Sequence, residues 1–131
     1  MNRQTKIASI WLFISIGLLI HLSLEMSEGF YYSELPKEPY NASVPTENHI
    51  IYLLAMILPL AMACATLFLE SRFFKVFSLI YAGILTVMNA AHGVEGLIFS
   101  IENVSQVVLL LMIALFNVVL LLQLNRWRKE T

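Results

Sequence analysis

The sequence predicts an all-α integral membrane protein, a four-transmembrane-helix, up-down-up-down bundle with both termini cytoplasmic. Three observations lead there. Hydrophobic residues make up 59% of the 131 residues and charged residues only 13%, and the mean hydropathy is +0.76. A soluble domain this small has too much surface for its volume to hide that apolar area. The apolar residues gather into four runs, at about 7–26, 49–69, 74–99 and 104–124. Each is close to the ~20 residues that a helix needs to cross a hydrocarbon layer ~30 Å thick. Finally, seven of the eight Lys and Arg fall at one membrane face if all four runs span.

The first run begins after Arg3 and Lys6 and reads IASIWLFISIGLLIHL. Basic residues ahead of an apolar stretch resemble a signal peptide. The stretch is longer than a usual signal core, however, and no small-x-small cleavage site follows in SLEMSEGF, so it reads as an uncleaved first helix. The connection at 27–48 is the only long one, and Pro36, Pro39 and Pro45 predict an irregular outer segment lying over the helix ends like a lid. Its rings, Phe30, Tyr31, Tyr32 and Tyr40, suit the membrane interface. Pro59 inside the second run predicts a kink or a loosened backbone bond. Ala61 and Ala65, four apart, offer a close-packing face there. Short breaks after the second and third runs make neighbouring spans antiparallel, and the whole chain reads as one domain. Cys64 stands alone, which excludes an internal disulfide and a Cys-x-x-Cys motif.

Charge sets the expected orientation. Arg3, Lys6, Arg72, Lys75, Arg126, Arg128 and Lys129 share one face, and only Lys37 lies on the other. The positive-inside rule places the first group in the cytoplasm, as in a multi-pass protein of the inner-membrane type. Seven of the nine glutamates lie toward the outer face, where they would concentrate cations. The basic residues suit an anionic lipid leaflet, and no signature points to nucleic acid.

Polar residues within the apolar runs point to function. Counted at ~1.5 Å per residue, His21 and His92 lie at nearly the same depth in the outer leaflet, each with a glutamate about one turn further out, Glu25 and Glu95. His49 opens the second run and Gln106 the fourth. His21 and Glu25 share a helix face, as do Asn89, His92, Glu95 and Gly96. Ionisable residues at membrane depth generally face the bundle interior and mark a function. His21, Glu25, His49, His92 and Glu95 are therefore the expected ligands of a divalent transition metal, zinc, iron or copper. Met26, Met56 and Met88 lie on the same helices and would favour copper(I) if they took part.

Such a site fits metal handling or a metal-dependent membrane enzyme, with binding that weakens as pH falls. The main alternative is haem held by His21 and His92, with Gly17 and Gly93 leaving room for the ring. Two further classes remain. One is a small dimeric cation- or proton-coupled transporter, although only Asn89, Asn117, Thr66 and Thr86 lie near the midplane. The other is a non-catalytic subunit of a larger membrane complex. Hydrolase chemistry is poorly supported, because no Ser or Cys has an obvious base beside it.

Overall fold

A bilayer offers the backbone no hydrogen-bond partner but itself, so each apolar run closes its own ladder as a helix. The computed structural model describes residues 1–32, 46–99 and 103–130. Its helices are α1 (Arg3–Tyr32), α2 (Thr46–Tyr52), α3 (Leu58–Phe68), α4 (Arg72–Phe99) and α5 (Val104–Lys129), with a π-helical turn at Leu53–Ile57 joining α2 to α3. Among the described residues, four segments are long and apolar enough to cross a membrane: Arg3–Ser27, His49–Phe68, Arg72–Ile98 and Val104–Lys129.

The helices outrun the apolar stretches. α1 starts at Arg3, where the Asn2 side chain accepts the Thr5 backbone N–H at 2.8 Å, an N-terminal cap. It continues past 26 to Tyr32, since no proline interrupts the chain before Pro36. α2 begins at Thr46, directly after Pro45. The irregular segment expected at 27–48 is therefore helical at both ends, and the expected lid at 33–45 lies outside the described residues.

Pro59 acts on the ladder as its missing N–H requires. Ahead of it the bonding slips to the wider π pattern, with the Leu58 N–H donating to the Leu53 carbonyl. The next bond in that pattern would run from residue 59 to the Leu54 carbonyl, and proline cannot donate it. The Tyr81 hydroxyl of α4 donates to that carbonyl instead, at 2.5 Å.

Packing follows heptad spacing. Ile7, Trp11, Ile14, Leu18 and His21 are the buried residues of one α1 stripe. Gln106, Leu110, Ile113, Asn117, Leu120, Leu124 and Trp127 form the α5 stripe. Alternating steps of four and three keep one face toward the neighbouring helix. α1 packs against α3 and α5, and α4 packs against α5. Gly17 permits the closest approach: a Cβ there would lie 2.9 Å from Ile113 Cγ1. At one end of the bundle Arg3 bonds the Glu130 carboxylate, and the Phe74 ring meets Trp127 edge-on at 6.2 Å. Further along, Trp11 stacks on Tyr81 at 5.4 Å. At the other end lie His21, His92 and Gln106.

The outward faces carry exposed Leu19, Ile20, Leu53, Ile84, Val87 and Leu115, as lipid contact requires. α3 buries Pro59, Met62, Ala63 and Thr66, whereas Ala61 is exposed and Ala65 only half-buried. The expected Ala61/Ala65 packing face is thus displaced. Neighbouring positions on a helix differ by about 100° in direction, and the partner helix decides which small residues are covered.

Candidate metal centre

His21 ends the buried part of the α1 stripe and is nearly enclosed. Its Nδ1–H donates to Oε1 of Gln106, the first buried residue of α5. With Nδ1 carrying the proton, Nε2 is left with its lone pair. That atom points at Nε2 of His92 on α4, 2.9 Å away, with the two rings nearly perpendicular at 74°. One turn beyond His21 on the same face, Glu25 Oε1 lies 3.3 Å from His21 Nε2 and 3.7 Å from His92 Nε2.

The second nitrogen of His92 also has a partner, with Nδ1 3.5 Å from Glu95 Oε2. With its proton on Nε2, His92 donates to the bare His21 Nε2; with its proton on Nδ1, the two lone pairs face each other and a metal ion can stand between them. The three atoms facing that space are separated by 2.9, 3.3 and 3.7 Å. Ligands placed ~2.05 Å from a tetrahedral zinc lie ~3.3 Å apart, so the observed separations bracket the edge of such a set.

Among the described residues, the one group of three or more His, Cys, Asp or Glu able to hold a metal is His21, Glu25 and His92, whose ligand atoms lie within 4.8 Å of one another. Glu95 reaches this group only through the far nitrogen of His92. His49, midway along α2, is exposed and lies outside the group. Met26 and Met88 are exposed. The space beside Gly17 is taken by Ile113, and a Cβ at Gly93 would lie 3.9 Å from Leu110 Cβ.

Lower in the bundle, Thr66 and Thr86 donate back to the carbonyls of Met62 and Ala82. The Asn117 amide does the same to Ile113, at 2.9 Å. Trp11 Nε1, Ser78 Oγ, Asn89 Nδ2 and Asn117 Oδ1 are buried without a hydrogen-bond partner among the described residues.

Sequence reasoning found His21, Glu25 and His92 from depth and spacing, and left Gln106 at the margin. Its signal is in the α5 heptad, where Gln106 occupies the same stripe as Leu110, Ile113 and Trp127. A polar residue on an otherwise apolar inward seam has to be partnered by another helix. The site is half open, since the His92 and Glu25 side chains are 48% and 47% exposed. No protein-family model, curated protein or solved structure matches this chain.

Proposed function

We propose that His21, Glu25 and His92 bind a divalent transition metal, and that the protein serves in metal handling or as a metal-dependent membrane enzyme. One observation carries the reading. Three potential ligand atoms from α1 and α4 are spaced like the edges of a tetrahedral ligand set, and the remaining nitrogen of each histidine faces Gln106 or Glu95. Outer partners of this kind fix the tautomer and ring orientation of metal-binding histidines. Charge supports it too. Two neutral imidazoles with Glu25 and Glu95 balance a divalent cation, which lowers the cost of holding that charge near hydrocarbon.

Two histidines and a carboxylate with a fourth position open form a ligand set used by catalytic zinc and by non-haem iron. The proposed orientation is up-down-up-down with both termini cytoplasmic. It draws support from the basic end, where Arg3, Arg72, Lys75 and Arg128 surround one hollow away from the histidines. The metal centre then opens outward.

Elemental analysis and one absorption spectrum of gently purified full-length protein test the proposal. The expected result is about one zinc, iron or copper per chain, lost in His21→Ala and in His92→Ala. Colourless, metal-free protein that takes up none of the three at neutral pH would overturn it. A haem spectrum would overturn it as well.

A further inference from the structure

At the end of the bundle opposite the histidines, basic side chains line two adjoining hollows. The first, about 460 Å³, contains Arg3, Arg72, Lys75 and Arg128 together with Glu70 and Glu130. Much of its charge is spent internally. Arg3 bonds the Glu130 carboxylate. Lys75 donates to the Glu130 backbone carbonyl at 2.8 Å and lies 5.1 Å from the centre of the Trp127 ring. The second hollow, about 590 Å³, is walled by Arg72, Val76, Arg128 and Lys129. Among the described residues it has three cations, one apolar side and no carboxylate.

Arg72 and Arg128 line both hollows. Arg128 is steadied by one bond from Nη2 to Asn125 Oδ1 at 3.2 Å, which leaves most of its guanidinium free. Arg72 has no hydrogen-bond or ion-pair partner among the described residues. It is the first residue of the 28-residue helix α4, whose positive end adds to the local field.

We infer that the second hollow binds one phosphate group, gripped by the forked guanidiniums of Arg72 and Arg128 with Lys129 as a third cation. Planar guanidiniums match phosphate oxygens two at a time. The hollow lies at the ends of membrane-length helices, where phospholipid headgroups sit, and Val76 gives it an apolar wall toward the acyl region. Basic pockets between membrane helices bind anionic headgroups. The phosphate source is therefore a membrane phospholipid or a soluble phosphate compound. The inference needs four membrane helices but no metal, so it stands or falls apart from the metal proposal. Arg126, Arg128 and Lys129 also offset the carbonyl end of α5, and if that were their whole role no stoichiometric ligand would be held.

The test uses full-length protein in detergent with three probes: phosphatidylglycerol, phosphatidylcholine and radiolabelled inorganic phosphate. The variants are Arg72→Gln alone, Arg72→Gln with Arg128→Gln, and a control, Lys6→Gln with Arg126→Gln. The control removes the same charge from the same end but outside both hollows. For a lipid source, native mass spectrometry gives one phosphatidylglycerol per wild-type chain in preference to phosphatidylcholine. Losing one charge-assisted bond in Arg72→Gln weakens that retention about tenfold. The double variant weakens it further, and the control leaves it intact. For a soluble source, equilibrium dialysis shows the same variant pattern for inorganic phosphate, with neither lipid retained. Equal losses in the hollow variants and the control would overturn the inference, as would no retention of any probe by wild type. Arg72→Gln breaks no described contact, so a folding failure does not stand in for a result.

Discussion

A buried glutamine and a buried histidine are each costly in hydrocarbon, and Gln106 and His21 offset that cost by bonding each other. The same bond turns the bare nitrogen of His21 toward His92 and Glu25. Gln106→Leu removes the acceptor and is expected to weaken zinc binding about 10- to 100-fold, read by competition with a coloured chelator. Gln106→Glu keeps an acceptor and should retain most of the affinity. In the proposed centre, zinc and protons would compete for the two Nε2 atoms. Occupancy should therefore be highest at neutral pH and fall as the solution is acidified, because the ligands must give up their protons to the metal. A titration followed by metal release checks the sign; tighter binding in acid would contradict it. The His21–Glu25 pairing was legible because four residues bring a helix back to the same face. The Gln106 bond was not, because it joins residues 85 apart in the chain, and local spacing carries no information on which helices meet.

At the scale of the helix, the Pro59 segment shows one defect corrected by a distant residue. Tyr81→Phe leaves the Leu54 carbonyl unpaired within the bundle and should cost about 1 kcal/mol, the size measured for interhelical bonds in membranes. In a Pro59→Ala background the backbone regains an N–H and that cost should shrink, which a double-mutant cycle of unfolding in detergent would resolve. Equal costs in both backgrounds would mean that the hydroxyl does not compensate for the proline. The Gly17–Ile113 contact is the tightest point of the α1–α5 seam. Gly17→Ala is expected to destabilise by about 1–3 kcal/mol through overpacking, and Ile113→Ala should relieve part of the penalty. A Gly17→Ala chain as stable as wild type would show that the helices shift apart freely.

For the whole molecule, the charge pattern predicts topology. With Cys64 changed to Ala, a cysteine at Ser71 should react only with reagent on the cytoplasmic side, and one at Ser33 only from outside; labelling of Ser33 from the cytoplasm would reject the orientation. The four membrane-length helices, the gathering of Arg3, Arg72, Lys75 and Arg128 at one end of the bundle, and the matched depths of His21 and His92 followed from the sequence alone. Apolar run length, charge count and rise per residue are local properties that need no partner. The tertiary structure decided the rest. It set α1 against α3 and α5 and placed α4 on α5. It covered Met62 and Ala63 rather than Ala61. It also left His49 exposed outside the group that His21, Glu25 and His92 form. Helical periodicity states which face a residue occupies and how deep it lies, but the direction that face takes in the bundle is set by the summed packing of every helix around it.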